Sequence, residues 1–217
     1  MADFAQRRIT MVDTQVRPSD VTSFRILDAM LSVPRELFVP SEQKDAAYAG
    51  THVGLGHGRV VLAPRTMAKL LQAADVQPDE LVLDVGAGLG YSSALAACMA
   101  EAVIALEEDA DLAREAERVL SEASADNVAV INGALADGAS KHGPYDVMLI
   151  EGAVQDIPDA LIDQLKVGGR VVAIFLEGAL GTARVGYKDG HGVSWRFAFN
   201  ATAPVLPGFE KQREFAL

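Results

Sequence analysis

One stretch limits the possible folds of this chain more than any other: Asp84-Val-Gly86-Ala-Gly88-Leu-Gly90-Tyr91. Before it runs the apolar segment Leu81–Val85, and after it the small-residue segment Tyr91–Ala100. The first reads as a buried strand and the second as a packed helix. The glycines between them let the backbone turn tightly and let a ligand approach without a Cβ in the way. Strand, glycine turn and helix, in that order, open an α/β fold that binds its ligand at the carboxyl ends of the strands.

The rest of the chain supports such a fold. Ala102–Leu106, Asn127–Ile131, Tyr145–Ile150 and Arg170–Leu176 read as further strands, with a helix predicted over Ala110–Glu122 and another over Pro158–Leu165. Lys166-Val-Gly-Gly reads as the stop of that last helix. Five strands alternating with helices imply a parallel sheet covered on both faces. Ala183–Lys188 and Val193–Phe199, joined by Asp189-Gly-His-Gly192, read as an antiparallel hairpin. The first forty residues read as helical. Asp20 is placed as the cap of a helix whose apolar side carries Phe24, Leu27, Met30 and Leu31. Gly50–Ala63 reads as an extended or irregular loop, and Pro64 opens a helix that buries Met67, Leu70 and Leu71. The domain reading is one unit over 1–217. It has an N-terminal helical and loop part (1–75), a sheet part (76–199) and an irregular tail (200–217).

Composition narrows the function. The 217 residues hold 19 Lys+Arg against 30 Asp+Glu, a net charge of −11, which disfavours non-specific binding of nucleic acid or of anionic membrane. No segment reads as transmembrane or as a secretion signal, so a cytoplasmic location is expected. The single cysteine, Cys98, excludes an intramolecular disulfide and a multi-cysteine zinc site, and reads as a packing residue. No His/carboxylate cluster has metal-ligand spacing. Trp195 reads as packed.

Glu107 ends the second predicted strand, 21 residues after Gly86. A carboxylate there can accept both hydroxyls of a ribose. The spacing is G-x-G-x-G. The dinucleotide fingerprint wants its third glycine where this chain has Tyr91, so a nicotinamide cofactor is disfavoured. A nucleoside without an obligatory pyrophosphate fits, which points to S-adenosylmethionine. The cofactor set read from the sequence is Asp84, Gly86, Ala87, Gly88, Gly90, Tyr91 and Glu107, with Glu108 a weaker choice for the ribose acid. A second feature is positive: from Gly50 to Ala74 there is no Asp or Glu, while His52, His57, Arg59, Arg65 and Lys69 all fall there. Arg59 and His57 are the candidates for receiving an anionic substrate group; equally, the stretch is a solvated helix face with a chance composition.

Several motifs then share their order and spacing with a known family. Arg35-Glu-Leu-Phe38-Val-Pro40, Ala47-Tyr48, Gly54-Leu-Gly56-His-Gly58, Pro64, the glycine turn, Ile157-Pro158 and Gln164-Leu-Lys-Val-Gly168-Gly169-Arg170 resemble the protein-L-isoaspartate O-methyltransferases, over about residues 10 to 176. The resemblance implies a Rossmann-like class I methyltransferase fold. It further implies methyl transfer from S-adenosylmethionine to the stray carboxylate of isoaspartyl residues in damaged proteins, a protein repair reaction with a protein or peptide as partner. The chain departs from the family pattern at four places. Leu62 stands where a hydroxyl residue considered catalytic is usual, and Ala134 stands where an acid reaches the adenine, with Asp137 nearby but out of register. Ala49-Gly50 replaces an aspartate, and Glu151 replaces a threonine after the fourth strand. Two alternatives therefore stay open: a methyltransferase with another acceptor, small molecule or protein, and a member that has lost catalysis and binds a partner, through the apolar tail Ala203–Phe209.

Overall fold

The computed structural model describes residues 3–211. Its centre is a seven-stranded sheet. In chain order, after a small hairpin of β1 (Val53–Gly56) and β2 (Arg59–Val61), the strands are β3 (Leu81–Val85), β4 (Ala102–Glu107), β5 (Val128–Asn132), β6 (Tyr145–Val154), β7 (Leu165–Glu177), β8 (Leu180–Asp189) and β9 (Gly192–Asn200). They lie in the order β5-β4-β3-β6-β7-β8-β9. The β3 to β7 neighbours pair in parallel, and β8 pairs antiparallel with both β7 and β9. The order reverses between β3 and β6, which puts the ligand crevice of such a sheet at their carboxyl ends.

The central strands are apolar on both faces, as burial on both sides demands. Val82, Val103, Val147, Leu149, Val172 and Ile174 enter one core. Leu83, Val85, Ile104, Leu106, Met148, Ile150, Val171 and Ala173 enter the other. The first core is sealed by helices: α2 (Phe24–Ser32), α3 (Pro64–Ala74), α4 (Tyr91–Ala97) and α5 (Ala110–Glu122). The α3 helix starts on Pro64, whose missing N–H costs nothing at a first turn, and buries Met67, Ala68, Leu70 and Leu71. The N-terminal helix α1 (Phe4–Met11) runs on as a π-helical turn, Val12–Val16, and a 3₁₀ turn, Arg17–Ser19.

Five local expectations change. Asp20 does not cap α2. It adopts a left-handed conformation with φ of 63°, because Gln72 on α3 accepts from Thr22 N and donates to the Asp20 carbonyl, holding these residues outside the helix. Phe24 opens α2 at 77% exposure; Ile26 and Ala29 take the buried positions beside Leu27 and Met30. The helix expected over Pro158–Leu165 shrinks to α6 (Asp159–Ile162), because Lys188 Nζ binds the carbonyls of Ile162, Asp163 and Leu165 and ends it. Lys166-Val-Gly-Gly is then part of β7, as a bulge between the Tyr145–Leu165 and Val147–Arg170 pairs. Cys98 is exposed at the end of α4 rather than packed.

The second core is sealed differently. Leu135 and Ala139 from short turns, Leu161 from α6, and Leu206 and Phe209 from the tail cover it. The tail runs beside β6: Val205 bridges Ala153 in parallel, Ala153 N donates to Pro204 O, and Leu206 N donates to Ala153 O. Gln155 N and Asp156 N donate to Phe209 O. The tail is irregular, as expected, yet Ala203, Leu206 and Phe209 are buried on the chain's own sheet. Residues 212–217 of that reading lie outside the described residues.

Candidate cofactor and acceptor site

The glycine turn sits where the sheet order reverses. Gly86 N and Ala87 N both donate to Leu106 O, tying the turn to β4. Gly88 adopts φ of 59°, and a Cβ there would lie 2.7 Å from Leu55 Cδ1 on the β1–β2 hairpin. At Gly86, φ 81°, a Cβ would meet Arg59 Nη2 at 3.0 Å and Leu206 at 3.2 Å. Hairpin and tail therefore press directly on the turn.

Below the turn, Asp84 is fully buried on β3. Its Oδ2 accepts from Ser92 and Ser93 at the start of α4, and its Oδ1 has no partner among the described residues. Burial pushes its carboxyl up to about 6; the two hydroxyls and Arg59 pull it down, and Glu107 adds to the rise. Tyr91 is buried under the Arg35 guanidinium, 4.6 Å from its ring centroid, and against Phe38. It is a wall of the turn, and burial raises its hydroxyl above the usual range.

Glu107 is fully buried, and each of its oxygens accepts two donors. Arg59 Nη1 lies 2.6 Å from Oε1 and Arg59 Nη2 lies 2.9 Å from Oε2. Gly88 N donates to Oε2 at 2.7 Å and Asp109 N to Oε1 at 3.0 Å. Arg59 thus presents two parallel donors to the carboxylate, as the two hydroxyls of a ribose would. Arg59 Nη2 also donates to Gly86 O at 2.6 Å. Arg59, read from the sequence as a receiver of substrate, is 6% exposed and turned onto Glu107. His57 is exposed at the hairpin tip, where it and Gly58 take the paired positive φ values of a two-residue turn. Glu108 is exposed.

The motifs upstream are mostly clamps. Arg35 is completely buried. It donates from Nε to Ala47 O at 2.6 Å and from Nη2 to Leu62 O at 2.8 Å, joining two distant loops to the helix-α2 exit. Tyr48 donates its hydroxyl to Glu36, and Arg8 binds both. Leu62 is part of the helix-side core, at 0% exposure. Ala134 and Asp137 are exposed at the end of β5.

Sequence reading left three neighbours out of this site. Leu55 and Leu206 carry no chemical signal, and only the fold brings them over the glycines. Glu151 did carry one, as a charged residue ending an apolar strand. It is 5% exposed, its Oε1 has no partner among the described residues, and burial beside Asp84 raises its carboxyl well above the usual range against the pull of Arg59 and Arg35. Among the described residues no group of three or more His, Cys, Asp or Glu side chains could hold a metal ion. Nor is any helix among them long and apolar enough to cross a membrane.

A seven-stranded sheet of this order, with a glycine turn after its first central strand and a carboxylate ending the next, is the Rossmann-like fold of the class I methyltransferases. Within that class the chain belongs to the protein-L-isoaspartate(D-aspartate) O-methyltransferase family, whose sequence pattern matches residues 7–182. A protein-L-isoaspartate O-methyltransferase of Syntrophus aciditrophicus is 39% identical over 172 residues, covering 79% of each chain. One of Hyperthermus butylicus is 40% identical over 183 residues, covering 78% of this chain and 75% of that relative. A Plasmodium falciparum structure described as a protein-L-isoaspartate O-methyltransferase in complex with S-adenosyl-L-homocysteine shares the fold. Its TM-score is 0.79 at 20% identity, over 95% of this chain and 99% of that one.

Proposed function

We propose that this chain is an S-adenosylmethionine-dependent protein carboxyl methyltransferase that methylates the carboxylate of isoaspartyl residues in damaged proteins, in the cytoplasm. The observation that carries this reading is membership of the isoaspartyl methyltransferase family across residues 7–182, with the glycine turn and Glu107 at the mouth of the sheet. S-adenosylmethionine supplies an activated methyl group. The chain's residues fit that cofactor: Glu107 has the acceptors for two ribose hydroxyls, and the Gly86–Gly90 turn offers backbone without Cβ atoms at the same point. Asp84 and Tyr91 hold the turn from beneath. An isoaspartyl carboxylate is ionised at neutral pH, so it needs no general base. The protein's task is alignment and exclusion of water. The buried position of Leu62 is compatible with that, since no side-chain hydroxyl is required there. His57, exposed at the hairpin tip, is the group placed to receive the acceptor's charge.

The test is transfer of labelled methyl to a peptide containing isoaspartate and to its aspartyl twin. Label in the first and not in the second is expected; label in neither overturns the reading. A second reading, a member that no longer transfers methyl groups, is favoured by one observation: Arg59, Leu55 and Leu206 fill the space above the glycines.

A further inference from the structure

One guanidinium in this molecule pairs with a buried carboxylate on β4, and the guanidinium's own strand, β2, packs against β6, where a second buried carboxylate, Glu151, lies. Arg59 holds Glu107 through both Nη atoms, while its Nε has no partner among the described residues. Its Nη2 reaches past Glu107 to the Gly86 carbonyl. Val85, before Gly86, pairs with Ile150 across β3 and β6, and Glu151 follows Ile150. Gly86, just past the end of β3, and Glu151, within β6, therefore lie side by side, and the positive groups acting on Glu151 are Arg59 and Arg35, with Asp84 opposing them. A buried carboxylate oxygen without a donor is costly, and Glu151 Oε1 is one. The same crevice is filled at its other end by Leu206, which lies against the Cβ positions of both Gly86 and Gly152.

We propose that Arg59 is a two-position residue that sets cofactor affinity: it holds Glu107 in the closed molecule and passes to Glu151 when the cofactor's ribose takes Glu107, as Leu206 withdraws from Gly86. This rests on the reading that the chain binds S-adenosylmethionine. Affinity is then the intrinsic affinity reduced by the fraction of molecules that are open. Glu151 acts only through Arg59, so it is a positioning residue and not a catalytic one.

The experiment is calorimetric titration with S-adenosylhomocysteine of the full chain and of Arg59→Gln, Glu151→Gln, Leu206→Ala and the Arg59→Gln/Glu151→Gln double variant. Arg59→Gln and Leu206→Ala should bind more tightly, the first by about tenfold or more, because the competitor is gone. Glu151→Gln should bind about tenfold more weakly, because the open position of Arg59 is lost. The double variant should bind like Arg59→Gln alone. In the unaltered protein, the amides of Leu206 and Ala153 should lose hydrogen-exchange protection at saturating ligand. Unchanged protection there overturns the proposal whether or not the variants fold. So does a Glu151→Gln effect that survives in the Arg59→Gln background. Equal affinity in every form overturns the proposal but leaves the cofactor reading standing. No binding by any form overturns both.

Discussion

The two faces of the sheet bury similar apolar rows by opposite means. On one face, helices with regular apolar stripes do the work: Met67, Leu70 and Leu71 on α3, and Ala113, Ala116, Val119 and Leu120 on α5. On the other, turns, a four-residue helix and the tail supply single side chains such as Leu135, Leu161, Leu206 and Phe209. The helical cover meets the sheet as a rigid layer. The irregular cover leans over the carboxyl ends of β3 and β6, so the segment that completes a core also touches the glycine turn. A cover made of separate loops can yield at one point without unsealing the whole face.

The largest test of that contrast is stability. Phe209→Ala should cost about 3–5 kcal/mol, close to the about 2–5 kcal/mol of Leu70→Ala on the helical face, both read as shifts in urea midpoint. A Phe209→Ala cost under about 1 kcal/mol would mean the tail is no part of the core. The next effect is electrostatic. The Asp84 carboxyl is raised in the folded protein, from 3.8 to about 6, so its contribution to stability is complete below about pH 4 and is lost as pH rises through about 6. That loss amounts to about 3 kcal/mol at most, and Asp84→Asn should flatten the stability curve over this range. Smaller is the pH dependence of cofactor affinity. Glu151 faces Asp84, Arg59 and Arg35, and burial raises its carboxyl; receiving Arg59 requires it to ionise. Affinity should therefore rise with pH by up to about tenfold per pH step of one, and Glu151→Gln should abolish the slope. Smallest is Phe24→Ser, at an exposed position, which should change stability by no more than about 0.5 kcal/mol.

The helical face was legible in the sequence because helices announce themselves by period: α3 and α5 lie where their stripes put them. The parallel strands were legible as apolar runs, and the glycine turn as the break between the first of them and the helix that follows. The other face was not, because residues such as Leu206 and Phe209 have no period and owe their places to the path of β6 far away in the chain. Lys188 shows the same limit. Its three carbonyl partners end α6, and no local pattern reveals that a lysine from β8 will reach them. Phe24 shows that an apolar residue at the first turn of a helix can keep the period and still point to water. Within the site, residue types were read correctly as charges, but not which charge pairs with which: the pairing of Arg59 with Glu107 joins positions 48 residues apart.

Trp195, the only tryptophan of the chain, packs edge-on against Phe175, with centroids 4.7 Å apart at 80°, and covers Gly186. It lies on β9, the outermost strand. Its fluorescence is therefore a resident reporter of the β7–β9 corner. Melting of that corner will change its emission, while events at the mouth between β3 and β6 will pass almost unseen by it. A tryptophan placed at His57, on the exposed hairpin tip, would watch the other end of the molecule.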